Sequence, residues 1–111
     1  MTDFEEHVRR ALASIPPELR GAMSNVEVVV EEENAEDPDL FGLYLGVPLV
    51  DRDSSYAGAL PDKIAIYRRP LEEEFGEDPD VLEEEIRITV LHEVAHHFGV
   101  DEDRLEELGW S

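Results

Sequence analysis

Apolar residues recur at helical spacing from the start of the chain. Phe4, Val8, Ala11, Leu12 and Ile15 fall on one stripe, with Glu5, Glu6, Arg9 and Arg10 largely off it. That pattern predicts an amphipathic helix. Pro16-Pro17 ends it, and Pro17 is placed to open a second short turn through Leu19 to Met23. Residues 26–32 alternate around Val26, Val28 and Val30 and predict a strand. Residues 40–50 are apolar but interrupted by Gly42, Gly46 and Pro48, which predicts one or two short strands with a bend. Residues 63–67 predict a short strand with Ile64 and Ile66 on one face. Between these lie an acidic loop over 31–39, a turn-rich stretch over 51–62 holding Ser54 and Ser55, and a second acidic loop over 70–80. Residues 71–75 predict a helical turn inside that last loop. Asp80 has Glu83 at the capping-box distance and predicts the start of a long helix over 81–98. Gly99 stops that helix. A last short helix is predicted over 103–108, stopped by Gly109. Helices flanking a few strands in mixed order predict an α+β fold.

The length of 111 residues predicts one domain spanning 1–111. Its 41% hydrophobic content suffices for a core. The charge excludes more. Against 29 acidic residues stand nine basic ones, for a formal net charge of −20. No basic stripe exists to release counterions from a polyanion, so neither nucleic acid nor an anionic membrane surface is expected as a partner. Cysteine is absent, which excludes disulfides, thiolate ligands and a Cys nucleophile. No apolar run approaches the roughly 20 residues that span a bilayer. The first residues lack a positive segment followed by an apolar one, so the expected location is cytoplasmic. The acidic runs 31–33, 72–74 and 83–85 have no EF-hand spacing and read as solvated faces.

One segment stands apart. His92-Glu93-Val94-Ala95-His96 is H-E-x-x-H on the predicted long helix. Residues i and i+4 of a helix lie about 5–6 Å apart at Cβ, so two imidazoles can converge on one cation at about 2.0–2.1 Å each. Glu93 is turned by about 100° from His92. That makes it an unnatural ligand, but places it to take a proton from a metal-bound water. On the helical wheel, Ile88, Val90, Leu91, Val94, Ala95 and Phe98 fill an apolar arc. Thr89, His92, Glu93, His96 and His97 occupy most of the opposite arc, which is expected to open into a cleft. Chance H-E-x-x-H in so Glu-rich a chain is expected about 0.02 times, which favours the metal reading.

The third ligand is expected just after Gly99. In H-E-x-x-H-x-x-G-x-x-H the glycine lets the chain return a third ligand, and here the last position is Glu102. Asp103 and Asp101 are near enough to compete, although either could instead cap the last helix, Asp103 having Glu106 at the capping-box distance. A His₂-carboxylate set suits one zinc ion and also accepts iron, cobalt or nickel. His97 points about 100° from His96 and reads as a residue bordering or supporting the ligands. Tyr44 and Tyr67 are phenols that can donate to a substrate oxyanion, with packing as the alternative role for each.

The segment H-E-V-A-H-H-F-G, followed by Asp101-Glu102-Asp103-Arg104-Leu105 and Leu108-Gly109, resembles the small bacterial zincin-like metallopeptidases, the minimal zincins. Leu40-Phe41-Gly42-Leu43-Tyr44-Leu45-Gly46-Val47-Pro48-Leu49 resembles that family's Gly-Leu-Tyr-x-Gly stretch. Leu60-Pro61-Asp62-Lys63-Ile64-Ala65-Ile66-Tyr67-Arg68 resembles its Leu-Pro-Asp-x-Ile strand. The resemblance implies a zincin-like fold: a small mixed sheet packed against an N-terminal helix and a long active-site helix, with a short C-terminal helix. It implies zinc ligation by His92, His96 and an acidic residue after Gly99, with Glu93 as general base. It also implies a peptide or protein substrate lying extended along an edge strand, with residues 63–67 as the candidate edge. Neither methionine follows the motif, so the Met-turn of metzincins has no counterpart in this sequence. The rival reading is a non-catalytic metal-binding module that recognises a partner through its acidic surface. A metal-dependent nuclease is disfavoured by the charge.

Overall fold

The computed structural model describes residues 3–23, 25–46 and 61–108. The expectations for the chain beyond Gly46, for the turn-rich stretch with Ser54 and Ser55, and for Gly109 lie outside these residues. In order, the described elements are α1 (Asp3–Ala13), α2 (Pro17–Ala22), β1 (Val26–Glu31), β2 (Gly42–Leu45), β3 (Asp62–Tyr67), α3 (Arg68–Phe75), α4 (Pro79–His97) and α5 (Glu102–Leu108). The architecture is α+β, a small mixed sheet with helices packed on it.

The N-terminal stripe forms as its spacing predicts. Phe4, Val8, Ala11 and Ile15 are buried against Leu82, Ile86, Val90 and Val94 of α4 and Ile64 and Ile66 of β3. The sheet order is β1-β3-β2. β1 runs parallel to β3 with Val26 opposite Asp62 and Glu31 opposite Tyr67. β2 runs antiparallel with Gly42 opposite Ile66 and Leu45 opposite Lys63. The strand expected at the edge is therefore the central one. Ile64, Ala65, Ile66 and Tyr67 are all buried, as a strand covered on both faces requires. The edge beside the helix belongs to β2, which has no second partner strand among the described residues.

Two helix starts differ from the sequence expectation. α3 begins directly after β3, with Pro70 inside its first turn. Proline is tolerated there because first-turn N–H groups have no intrahelical acceptor. α4 is capped by Asp78, not Asp80. The Asp78 carboxylate accepts from the N–H groups of Asp80 at 3.0 Å and Val81 at 3.4 Å. Pro79 follows at the first helical position, where its φ suits the helix. The acidic runs are more than solvated faces. Arg68 bridges Glu32 and Glu72. Arg69 reaches Glu33 at 3.1 Å and Glu73 at 2.8 Å. These exposed pairs tie the two acidic segments together but contribute little stability each.

Candidate metal centre

The last two turns of α4 bring His92 and His96 together, with ring centroids 4.8 Å apart and Nε2 atoms 3.1 Å apart. The helix then ends in a Schellman motif. Gly99 has φ of 87°, its N–H donates to His96 O at 2.9 Å, and the Val100 N–H donates to Ala95 O at 3.0 Å. This reversal sends the chain back beside the histidines. Asp101 then caps α5, its Oδ1 accepting from the Arg104 N–H at 2.9 Å. Leu105 is fully buried and anchors the short helix.

Of the three competing carboxylates, Glu102 is the one aimed at the histidines. Its Oε1 lies 2.8 Å from His96 Nε2 and 3.1 Å from His92 Nε2. Asp101 is engaged as the cap, and Asp103 is exposed in the first turn of α5. The Nε2, Nε2 and Oε1 atoms thus form a triangle with edges of 3.1, 2.8 and 3.1 Å. One face of a tetrahedron of ligands at zinc-like bond lengths has edges of about 3.3 Å. The donor set and its spacing both fit a single divalent transition metal ion.

Glu93 lines the cleft that the wheel predicts, but it is only 7% exposed. Thr89 and Glu93 of the polar arc are covered by β2, because Gly42 lets that strand approach closely, while His92 and His96 stay at the cleft. A Cβ at Gly42 would lie 2.9 Å from Thr89 Cγ2 and 3.2 Å from Glu93 Cγ. Thr89 survives burial by donating to Glu85 O at 2.8 Å. Burial pushes the Glu93 carboxyl above its usual range. The charges of His92 and His96 oppose that shift, Glu102 adds to it, and a hydrogen bond from the Tyr44 backbone N–H opposes it. The strand geometry explains that hydrogen bond. The Tyr67 N–H donates to Phe41 O at 2.8 Å, so Phe41 and every second residue after it face β3. Gly42 and Tyr44 therefore turn their backbone groups outward, toward the site.

Behind His92 and His96 sits a largely buried polar network. The Tyr44 hydroxyl donates to Asp62 Oδ2. His97 Nδ1 stands 3.4 Å from that hydroxyl and 3.5 Å from Asp62 Oδ2. His97 is 0% exposed and Asp62 3%. The network pins β2, β3 and the C-terminal end of α4 to one another. Gly46 belongs to it by close approach, since a Cβ there would lie 2.2 Å from Asp62 Cγ. The Tyr44 phenol is thus engaged away from the ligand triangle. Tyr67 is buried too, its hydroxyl accepting from Asn34 Nδ2 at 2.9 Å, and it does not line the cleft. Asp62, Gly42 and Gly46 were not singled out for these roles from sequence. The clue was a lone acid at the head of a largely apolar strand.

The triangle and Glu93 line a cleft of about 530 Å³ with Tyr44, Gly46 and Val100. Residues 23–110 match the sequence profile described as zincin-like metallopeptidase. The chain belongs to the zincin-like metallopeptidase family. No curated protein matches the sequence significantly. Membership gives the His-His-Glu triangle a context, since zincins hold a divalent metal, typically zinc. Among the described residues of this zincin-like chain, no helix is long and apolar enough to cross a membrane.

Proposed function

We propose that this protein is a zinc-dependent metallopeptidase in which His92, His96 and Glu102 hold the ion and Glu93 is the general base. The observation that carries the reading is the near-tetrahedral donor triangle lying beside a buried carboxylate in an open cleft. When bound, zinc supplies Lewis acidity, polarising the scissile carbonyl and lowering the pKa of the attacking water to about 7. Glu93 accepts the proton of that water and delivers a proton to the leaving amine. The Tyr44 N–H holds the Glu93 carboxylate in place. The outward backbone groups of β2 suit an extended peptide, which would pair with the strand as an added one.

Three convergent donors among the described residues favour this reading over the non-catalytic module. A structural zinc site is closed by four protein ligands, whereas a catalytic one keeps a position open. The test is Glu93→Gln in zinc-loaded protein against a peptide the parent cleaves. The variant should keep one zinc per chain while losing about 100-fold or more in rate. A variant as active as the parent refutes the role of Glu93.

A further inference from the structure

The cleft does not end at the ligands. A second hollow of about 340 Å³ continues it along β2, sharing Leu40, Gly42, His92 and Glu93 and extending to Phe41, Ile88 and Glu85. Beyond the shared His92 and Glu93 its walls are Leu40, Phe41, Ile88 and Thr89, mainly apolar, and Glu85 is the carboxylate away from the histidines. The Glu83-Glu84-Glu85 run makes that carboxylate distinctive. Glu83 pairs with Arg10 at 3.1 Å, and Glu84 pairs with Arg87. No cation pairs with Glu85 among the described residues, and it is the member of the run that lines the hollow.

The packing sets which half of the cleft each end of an antiparallel peptide would cover. Gly42 lies against Thr89 and Glu93, Tyr44 against His97, and Gly46 shares the cleft with Gly99. β2 and α4 therefore run the same way. A peptide added antiparallel to β2 runs opposite to α4, so its residues after the scissile bond cover the Glu85 half. Glu85 is two helical turns before His92, about 10.5 Å along the axis. Two extended residues cover about 6.6 Å, and a four-carbon stem can span the rest along Ile88 and Phe41 with its charge at the carboxylate.

We propose that Glu85 makes this half of the cleft a subsite for a basic side chain, selecting peptides with Lys or Arg one or two residues C-terminal of the scissile bond. The inference rests on reading the cleft as a peptide site. The net charge of −20 acts in the same direction, raising the local concentration of cationic peptides.

The experiment uses a fluorescein-labelled octapeptide with an apolar centre, in which Lys, norleucine or Glu is walked through each position. Binding to the zinc-loaded Glu93→Gln protein is read by anisotropy. At one position the Lys peptide should bind about fivefold tighter than its norleucine counterpart. Adding Glu85→Gln should bring that ratio near one, and adding Glu85→Lys should turn the preference toward the Glu peptide. That charge swap separates a direct contact from a loss of local structure. No preference at any position, a preference that survives Glu85→Gln, or no binding at all overturns the inference. Cleavage of the same peptides by the parent protein tests the peptidase reading separately. A Glu85-dependent preference without cleavage sinks that reading and leaves the subsite standing.

Discussion

The assignment of the third ligand can be tested by removing Glu102, Asp101 and Asp103 one at a time. Glu102 is 64% exposed and, among the described residues, pairs only with the two histidines. Its replacement by alanine should leave the melting temperature of chelated protein almost unchanged. Its effect should appear when zinc is added. With free zinc at 100 times Kd, binding stabilises the parent by about 2.7 kcal/mol. At about 4 °C per kcal/mol that is a rise of about 11 °C. Loss of a direct ligand should weaken binding by at least the roughly 100-fold seen when groups supporting a ligand are removed. The same zinc then sits near Kd, and the gain falls to about 0.4 kcal/mol, about 2 °C. Asp101→Ala should behave the opposite way. It removes the cap of α5 and lowers the chelated melting temperature by about 4 °C, for about 1 kcal/mol, while most of the zinc shift remains. Asp103→Ala should change neither. Thermal melts with and without zinc, on all three variants, read these outcomes. A Glu102→Ala protein with the full zinc shift, or an Asp103→Ala protein without it, refutes the ligand triangle.

Two further variants address the framework. Gly42→Ala places a Cβ 2.9 Å from Thr89 Cγ2 and 3.2 Å from Ala65 O. It should cost about 1–3 kcal/mol in urea unfolding, and an unchanged midpoint would mean that β2 does not approach α4 this closely. Asp62→Ala removes the acceptor of the Tyr44 hydroxyl and the carboxylate beside the buried His97 ring. It should cost about 3 kcal/mol, and a variant as stable as the parent would show that the network carries no stability.

What was readable in the sequence is what short-range geometry determines. The N-terminal stripe, the ligand pair at i and i+4, and the chain reversal at Gly99 each depend on residues within a turn or two of one another. Register after Gly99 favours Glu102 over Asp103 and Asp101, and the Schellman motif and the Asp101 cap bring its carboxylate beside the two histidines. The misread features depend on partners far away in the chain. Residues 63–67 were expected at the edge from the family resemblance, and nothing in the alternation of Ile64 and Ile66 distinguishes an edge strand from a central one. Only pairing with both β1 and β2 makes the strand central. The cleft along the polar arc of α4 was legible, but not how far each of its residues is covered. Nothing local indicates that a glycine some 50 residues upstream lets a strand close over Thr89 and Glu93. The Asp78 cap was missed for a simpler reason, that Asp80 offered an equally good local signal.

This division between local and distant contacts separates metal capture from catalysis physically. The ligand triangle closes within the eleven residues from His92 to Glu102, so bringing its ends together costs little chain entropy. The setting of the base does not close locally. Glu93 is buried by Gly42, held by the Tyr44 N–H, and faces a groove walled by Leu40 and Phe41, all from the segment that carries β2. β2 is in turn held by Asp62 of β3 and His97 of α4. In the proposed mechanism a perturbation of β2 would therefore move Glu93 and the strand's unpaired edge together while sparing the donor triangle. The same motif can then persist as a metal site in a chain whose strand no longer seats the carboxylate. On these grounds the contacts of β2, more than the H-E-x-x-H spacing, decide whether such a fold hydrolyses peptides.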